Sequence, residues 1–491
     1  QFTFDITRPI SKLTYPVESS VIAARKELSN IQGTASDTDP GRVGVVNLRI
    51  KDTDDNTYWS PGSDNFIEFA DPENAWFVSL STDALWTAWS YAFSESKWVE
   101  GKTYRIETRA RDRALNYDNV YSTSSFMWDK TPPVSYVFFP ENNKSYRVLS
   151  TLSGTARDYA GAAIGSGIQD VTKIKIAVRK NDKATDPWWD GFSGFNSPEA
   201  ARWKNVTGFE SLGGSQYNWT YTHANFGSAL VSGSSYYIEI QAFDVAGNTQ
   251  TILGSCTFWY DNTEPDTFIQ LPADESPHKF YTSLPTISGT SYDVTAGLDK
   301  VELHIRDIAD DKPWLGSGSG WGSAGATNYV LATSLSPGGT FWYYNDTPQW
   351  SQGKRYRIDS RGTDKVIYPS GNVETTFSAR YIVVESSAPR TNFVAPSPSP
   401  DTKYKTLSQL TGTAVDYPLE SAGLYKSGLS KVEMKIENLT DNQYYDGNVW
   451  QAGSAPGWLF EATLSGTGDI RNWRYPSAAW GTEPWTSGKR Y

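Results

Sequence analysis

Residues 101–116 read Gly-Lys-Thr-Tyr-Arg-Ile-Glu-Thr-Arg-Ala-Arg-Asp-Arg-Ala-Leu-Asn. The uncharged side chains of Tyr104, Ile106 and Ala110 alternate with charged ones, so one face of an extended chain is mostly apolar and the other is charged. A turn that starts at Asp112 ends the pattern. The stretch therefore predicts a β-strand that packs one face against a core and presents the other to solvent.

The same pattern begins again at Gly233, Gly353 and Gly488, so the chain is built from repeats. A second marker, Gly-Thr-x-x-Asp, also recurs, at spacings of 121, 135 and 123 residues. Its glycines are Gly33, Gly154, Gly289 and Gly412. A period of this length is too long for a solenoid unit and suits an independently folded β-sandwich.

Strings of the form Asp-x-Thr-x-Pro, as at 129–133 and 261–265, mark the junctions between repeats, because proline cannot donate a hydrogen bond to a sheet. We expect the last strand of a preceding repeat plus a linker at 1–8, followed by four repeats at 9–132, 133–264, 265–388 and 389–491. The fourth repeat lacks its last two strands. We therefore expect the polypeptide to continue beyond this segment, or another chain to supply those strands.

Other stretches of each repeat also alternate with a period of two. One such strand follows each Gly-Thr motif, as at Val46, Leu48 and Ile50, and no helical spacing of comparable length is found. A Trp-x-Tyr string, first seen at Trp89 and Tyr91, recurs in every repeat. With roughly seven strands per repeat and short connections, the sequence predicts an all-β chain of antiparallel two-sheet sandwiches.

Three motifs taken together carry a resemblance to a known family: Gly-x-x-Tyr at 101–104, Asp-x-x-Gly-Asn at 244–248 and Asp-x-Thr-x-Pro at 129–133. As a set they resemble the tandem bacterial Ig-like domains of large extracellular and cell-surface proteins. The resemblance implies tandem Ig-like antiparallel β-sandwiches arranged end to end, outside the cell. It also places Tyr104 at the tyrosine corner of Ig sandwiches. The chain departs from the family pattern at Leu115, where glycine is usual.

Composition narrows the functional classes. The net charge of −11 argues against binding to nucleic acid, which requires basic surfaces, and no apolar run is long enough to span a bilayer. The single cysteine, Cys256, rules out a disulfide within the chain and a thiolate zinc site. The three histidines occupy unrelated positions, and no nucleophile or phosphate-binding motif is present. We therefore expect a protein that is not an enzyme.

Acidic residues recur at the repeat junctions. In an Ig sandwich, one end gathers the linker acid, the acid of the Gly-Thr motif, and the Asp and Asn of the turn after the organising strand. Oxygen ligands in this number suit calcium, although Asp and Asn are also ordinary turn formers. The candidate ligands at three successive junctions are Asp5, Asp37, Asp112 and Asn116; Asp129, Asp158, Asp244 and Asn248; and Asp261, Asp293, Asp364 and Asn372. A fourth junction has only Glu385 and Asp416.

The chain contains 20 tryptophans, whose rings could stack on sugars. Most recur in register, which is typical of core packing rather than of a ligand site. Those out of register are the candidate ligand-binding residues: Trp86, Trp188, Trp189, Trp321 and Trp480.

These observations favour a structural segment of a large extracellular protein, a rod of Ig-like repeats in a cell-surface fibre, stalk or envelope layer. Its expected partners are copies of itself or other surface proteins. The alternative is an adhesin segment that binds glycan, or a protein of a host or partner cell, through loops and the out-of-register tryptophans. The fold alone does not decide between the two.

Overall fold

A computed structural model describes residues 3–81, 83, 85–161, 163–181, 185–399, 402–417, 424–476 and 478–491. Their regular secondary structure is almost entirely β-strand, which confirms the all-β prediction. No helix among them is long and apolar enough to cross a membrane. The chain divides into two compact units, which are described separately: the first contains Gln1–Asn262 and Val366–Ser370, and the second contains Thr263–Lys365 and Gly371–Tyr491.

The first repeat, in the first unit, forms two sheets. The smaller has the strand order β1-β3-β9-β8, and the larger has the order β2-β11-β10-β4-β5-β6, with β7 paired to β4. The strands are β1 Ile10–Tyr15, β2 Ser19–Arg25, β3 Asn30–Ser36, β4 Val43–Asp52, β5 Thr57–Ser60, β6 Asn65–Ile67, β7 Phe77–Val78, β8 Leu80–Ser81, β9 Trp89–Ala92, β10 Thr103–Asp112 and β11 Ser122–Trp128. Two 3-10 turns, Pro72–Ala75 and Glu95–Lys97, lie in the long connections.

The second repeat, also in the first unit, has the same plan. Its smaller sheet has the order β12-β14-β22-β21, its larger sheet the order β13-β24-β23-β17-β18-β19 with β20 on β17, and β15 pairs with β16. The strands are β12 Val134–Phe139, β13 Lys144–Tyr146, β14 Thr151–Arg157, β15 Tyr159–Ala160, β16 Ala163–Ile164, β17 Ile174–Lys180, β18 Trp188–Trp189, β19 Phe195–Ser197, β20 Lys204–Asn205, β21 Gly208–Gly213, β22 Gln216–Thr222, β23 Ser234–Ala242 and β24 Gly254–Tyr260. One α-helical turn spans Phe226–Ala229, and 3-10 turns span Val171–Lys173 and Glu199–Ala201.

The second unit contains all the strands of the third and fourth repeats. The third has sheets β25-β27-β32-β31 and β26-β34-β33-β28-β29, with β30 on β28; the fourth has β35-β36-β43-β42, β37-β41 and β38-β39-β40. The strands are β25 Asp266–Leu271, β26 Lys279–Tyr281, β27 Ile287–Tyr292, β28 Leu298–Asp307, β29 Lys312–Pro313, β30 Val330–Leu331, β31 Ser334–Leu335, β32 Phe341–Tyr344, β33 Arg355–Asp364, β34 Ser378–Val384, β35 Arg390–Ala395, β36 Leu410–Val415, β37 Glu433–Met434, β38 Glu437–Asn438, β39 Gln443–Tyr445, β40 Trp450–Ala452, β41 Phe460–Glu461, β42 Thr463–Ser465 and β43 Ile470–Tyr475.

The described residues form four hydrophobic cores, each made from residues of one repeat. The boundaries at 9–132, 133–264, 265–388 and 389–491 remain predictions. Residues 1 and 2 of the expected N-terminal strand lie outside the described residues, and residues 3–9 form no strand.

The organising strand β10 lies between β4 and β11, antiparallel to both. Its tyrosine accepts a hydrogen bond from a backbone N–H five residues earlier, as predicted for a tyrosine corner: Val99 N lies 2.9 Å from the Tyr104 hydroxyl. The same bond recurs to Tyr236 at 2.8 Å, Tyr356 at 3.0 Å and Tyr491 at 2.7 Å. Each repeat therefore fastens the connection into this strand in the same way.

The strand pairs of the described sheets are antiparallel, as expected, except at one place in each of three repeats. β2 pairs with β11, β13 with β24, and β26 with β34 in parallel. In each case the chain leaves the smaller sheet after its first strand and continues beside the last strand of the larger sheet. Because it keeps its direction while it changes sheet, the new pair is parallel.

A tryptophan packs directly against the glycine of each Gly-Thr motif. A Cβ added at Gly154 would lie 2.5 Å from a ring carbon of Trp219 and 1.9 Å from the carbonyl oxygen of Tyr136. Gly33, Gly289 and Gly412 meet Trp89, Trp342 and Trp473 in the same way. The indole N–H of each tryptophan also donates to the residue after the glycine, as from Trp219 to the Thr155 carbonyl at 3.3 Å. Glycine is required here because the ring occupies the space of a side chain.

Replacing Gly154 by alanine should therefore destabilise the second repeat by about 3 kcal/mol or more, because both the ring and a backbone carbonyl would have to move. Thermal and urea denaturation of the Gly154→Ala variant measure this loss. Gly62→Ala is the control, because a Cβ there meets no atom within 4 Å. Equal stability of the two variants would show that the Trp–Gly contact is not a constraint.

Candidate metal centres

Three aspartates that lie far apart in the sequence, one in the linker before the second repeat and two in that repeat, come together in the structure. Asp129 follows β11, Asp158 follows β14 and Asp244 follows β23. One carboxylate oxygen of each lies within 4.8 Å of one from each of the other two. All three residues are 0 % exposed. We call this set the second triad; it lies entirely within the first unit.

Backbone N–H groups orient the carboxylates of the second triad. Asp129 accepts from Ser166 at 2.7 Å, Asp158 from Gly167 at 2.6 Å and Asp244 from Asn248 at 2.6 Å. One oxygen of Asp158, Oδ1, is buried and has no hydrogen-bond partner among the described residues. No salt bridge from a described Lys or Arg side chain reaches any of the three.

The second triad concentrates negative charge where water does not screen it. Two carboxylates about 4.8 Å apart repel each other by roughly 3 kcal/mol at an effective dielectric of about 20. Burial, with the nearby charge of Asp129, raises the pKa of Asp158 to about 7. Burial raises the pKa of Asp244 to about 6 against the lowering effect of its bonds to Asn248. The site therefore favours a bound cation or, without one, bound protons.

The first triad, Asp5, Asp37 and Asp112, has the same arrangement. Asp112 is buried, whereas Asp5 and Asp37 are half-buried. The Asp37 Oδ2 atom is buried without a hydrogen-bond partner among the described residues, and a Cβ added at Gly41 would lie 2.3 Å from it. Burial raises the pKa of Asp37, as do the charges of Asp5 and Asp112, against the bond from the Thr38 backbone.

The predicted asparagines sit beside the aspartates but act as donors. The side-chain amide of Asn248 donates to Asp244 at 2.7 Å and to the backbone carbonyl of Asp129 at 2.9 Å. Asn116 makes the same pair of bonds, to Asp112 at 2.7 Å and to the Asp5 carbonyl at 3.2 Å. These asparagines thus join the turn after the organising strand to the linker and hold a carboxylate in place.

The third predicted set is divided between the two units of the chain. In the first unit, Asp261 accepts from the Ser232 hydroxyl at 3.2 Å. In the second unit, Asp293 accepts from the Gly297 backbone at 2.6 Å, and Asp364 accepts from the Asn372 side-chain amide at 2.7 Å. These three aspartates therefore keep backbone or side-chain bonds of the kind seen in the first two triads.

Sequence reasoning missed a short loop that supports the second triad. Ser166 and Gly167 place their N–H groups on Asp129 and Asp158, and the Gly167 carbonyl accepts from Val245 at 2.9 Å. In the second unit, Ser427 and Gly428 bond to Glu385 at 2.9 Å and to Asp416 at 2.7 Å. The signal was present in the sequence as a Ser-Gly pair before a branched apolar residue, 8 residues after Asp158 in the second repeat and 11 residues after Asp416 in the fourth.

The five tryptophans proposed as ligand platforms are engaged by the protein itself. Trp188 and Trp189 are 4 % and 1 % exposed, and Trp188 lies between the guanidinium groups of Arg179 and Arg202 at 5.3 and 5.2 Å from its ring. Trp86, Trp321 and Trp480 are half-buried against the cores of the first, third and fourth repeats. Sugar stacking on these five residues therefore stays a prediction.

The chemistry of the triads indicates which metal would fit. Their side-chain ligand atoms are all carboxylate oxygens. Hard cations with six to eight oxygen ligands, calcium above all, use such donors, whereas structural zinc sites use thiolates and imidazoles. The buried oxygen of Asp158 without a hydrogen-bond partner is the kind of atom that a cation would satisfy.

The raised pKa values of Asp158 and Asp244 predict how the calcium-free protein responds to pH. In the folded protein the pKa values of both groups lie above their ordinary value of 3.8, so both hold their protons more tightly than they do in the unfolded chain. Their contribution to stability is therefore fully present below about pH 4 and is lost as pH rises through about 6 to 7. We expect the melting temperature in calcium-free buffer to fall from pH 5 to pH 8 by more in the wild-type protein than in an Asp158→Asn, Asp244→Asn variant. An equal fall in both proteins would contradict this.

No protein-family model matches the sequence, and no curated protein matches it. Similar solved structures include a four-repeat segment from the extending region of a large adhesion protein, at 15 % identity and a TM-score of 0.27, covering 95 % of this chain and 90 % of that one. Another is a Ca2+-stabilised adhesin that helps an Antarctic bacterium reach out and bind ice, at 12 % identity and a TM-score of 0.29, covering 91 % and 88 %. A third comprises fibronectin(III)-like modules of Clostridium thermocellum CbhA, at 10 % identity and a TM-score of 0.22, covering 51 % and 94 %. Tandem repeats of large adhesins are thus among the similar structures, as the sequence motifs suggest, but similarities this low assign the chain to no family.

Proposed function

We propose that this chain is a structural segment of a large extracellular protein, whose tandem β-sandwiches are fastened at their junctions by calcium. One observation carries the proposal: Asp129, Asp158 and Asp244 are fully buried together without a salt bridge to any described Lys or Arg. A folded protein retains such a cluster at a cost in stability unless a cation compensates it.

The origin of the three ligands explains why calcium would act structurally. Asp129 belongs to the linker between the first two repeats, whereas Asp158 and Asp244 belong to the second repeat. A cation bound by all three would tie the linker to the repeat that follows it. Within the first unit this tie adds to existing bonds, such as that from the Lys26 ammonium to the Gly247 carbonyl at 2.6 Å. The linker would then be held in one conformation.

The expected affinity supports an extracellular location. Extracellular modules bind calcium with dissociation constants of about 0.1 to 1 mM, and such sites fill only where calcium is abundant. The proposal gives the chain no catalytic role, and its partners would be copies of itself or other surface proteins. The alternative of an adhesin that uses the out-of-register tryptophans is not favoured, because those rings already pack against the protein.

Calcium should raise the melting temperature of the full chain by several degrees relative to chelator. A ligand present at about 100 times its dissociation constant adds about 2.7 kcal/mol to the free energy of unfolding. Magnesium at equal concentration should give a smaller shift, because it demands six close octahedral ligands and dehydrates reluctantly. Differential scanning calorimetry measures both shifts. Equal melting temperatures in calcium and in chelator would refute the proposal.

The Asp158→Asn variant should change stability in opposite directions in the two buffers. In chelator at pH 8 it should be at least as stable as the wild type, because it removes a buried negative charge from the triad. In calcium it should be less stable, and calorimetric titration should show one fewer ion bound per chain. Asp299→Asn serves as control, because Asp299 is exposed and lies outside the triads. A variant destabilised equally in both buffers would instead indicate a purely structural aspartate.

A further inference from the structure

The smaller sheet of the third repeat, in the second unit, presents aromatic rings on its outer face. Along its strands, inward residues such as Ile269 and Trp342 enter the core, and the alternate residues face outward. The outward apolar residues and their exposed fractions are Phe268 at 53 %, Leu271 at 37 %, Tyr292 at 60 %, Phe341 at 59 % and Tyr343 at 42 %. We call this surface the aromatic face.

The strand register brings these residues into one patch. Phe268, Thr290 and Phe341 are cross-strand neighbours in one row. The adjacent row of cross-strand neighbours consists of Leu271, Ser288, Tyr343 and Ser334. Neighbouring strands lie about 4.8 Å apart, so the positions of Phe268 and Phe341 are separated by roughly 10 Å, with a threonine between them.

The other repeats show that the sandwich does not require this face. Equivalent residues in the other repeats are found by counting from the glycine of the Gly-Thr motif and from the tryptophan that packs on it. The positions compared are those of Phe268, Tyr292, Phe341 and Tyr343. The equivalent residues are Lys12, Ser36, Ala88 and Ser90 in the first repeat, Tyr136, Arg157, Asn218 and Thr220 in the second, and Asn392, Val415, Asn472 and Arg474 in the fourth. Only the third repeat has an aromatic residue at all four positions, so the cluster is a property of that repeat rather than of the fold.

The size of the aromatic face limits what covers it. With about half of each side chain exposed, the five residues present roughly 500 Å² of apolar surface. Functional patches on monomeric proteins have this size, whereas a stable protein interface needs about 800 Å² from each partner. A small or narrow ligand fits the face better than a second chain does.

The polar groups of the aromatic face define the chemistry of that ligand. Hydroxyl groups of Ser288, Thr290 and Ser334 lie among the rings, and the carboxylate of Asp266 stands opposite Tyr292. None of the outward positions on these four strands is Lys or Arg. The face therefore suits an uncharged ligand with flat apolar surfaces and many hydroxyls. A pyranose ring has this character, because its polarised C–H groups pack on the negative face of an aromatic ring while its hydroxyls reach donors and acceptors at the edge.

We propose that the aromatic face of the third repeat binds a neutral polysaccharide, with sugar rings stacked on Phe268, Phe341 and Tyr343. This activity goes beyond the structural role and does not depend on it, since none of the face residues belongs to an acidic triad. Asp266 would disfavour polyanionic glycans by repulsion and would accept hydrogen bonds from the hydroxyls of neutral ones.

Affinity electrophoresis of the full chain tests the proposal, with hydroxyethylcellulose, xylan and soluble starch as neutral probes and alginate as the anionic one. We expect at least one neutral polysaccharide, and not alginate, to retard the wild-type protein in calcium and in chelator alike. The Phe341→Asn, Tyr343→Thr variant, which carries the residues of the second repeat, should bind on the order of tenfold more weakly. Tyr136→Ala, at the position equivalent to Phe268 in the second repeat, should bind as the wild type does.

Three results would overturn the proposal. One is the absence of retardation by any neutral probe, and another is retardation that the double variant leaves unchanged. The third is self-association of the wild type in sedimentation experiments that the double variant abolishes, which would assign the face to a second copy. A Tyr292→Ser variant tests a further exposed residue of the aromatic face. Each variant counts as folded if its thermal transition lies within about a degree of that of the wild type. If the variant loses sugar binding equally in calcium and in chelator, the loss comes from the aromatic face and not from the acidic triads.

Discussion

Burying three like charges within 4.8 Å of one another destabilises a folded protein unless something neutralises them, and this constraint organises the junction at Asp129. The linker, the loop after β14 and the turn after β23 each deliver one carboxylate to the same point. Backbone N–H groups fix the orientation of each carboxylate without cancelling its charge. The cluster therefore costs the cation-free protein electrostatic free energy, and under the proposed function a divalent cation would remove that cost and tie the linker to the second repeat.

The repeats separate a constant interior from variable surfaces. The Trp–Gly contact, the tyrosine corner and the order of the core strands recur, because a two-sheet core of this size accepts few alternatives. The junction carboxylates occupy strand ends, where residues are not needed for packing. The sheet faces differ most, and only the third repeat has aromatic residues at all four of the positions compared in the smaller sheet. A scaffold of this kind can acquire a binding surface in one repeat without disturbing its neighbours.

Much of the fold could be predicted from the sequence because the alternation at Tyr104, Ile106 and Ala110 is a local property. Contacts between distant residues could not be predicted in the same way. The fit of Trp219 on Gly154 requires knowledge of which strands pair, and so does the ion pair of Lys102 with Asp52 at 2.9 Å. The parallel pairing of the second strand likewise depends on where the chain changes sheet, which alternation does not encode.

The candidate site was predictable in outline for a related reason. The aspartates could be chosen from the sequence because acidic residues recur at the same strand ends in each repeat. Repeats of one topology bring those strand ends to the same place. The donor role of Asn248 and the supporting loop at Ser166 depend on hydrogen-bond geometry, which spacing does not specify. The aromatic face remained hidden because its members lie on three strands, and each residue alone looks like an ordinary exposed aromatic.

The decisive experiment is a crystal structure of the full chain grown in millimolar calcium. We expect an ion at the second triad, with oxygens of Asp129, Asp158 and Asp244 about 2.3 to 2.6 Å from it. Three carboxylates in the arrangement described here, with only water among them at that calcium concentration, would contradict it.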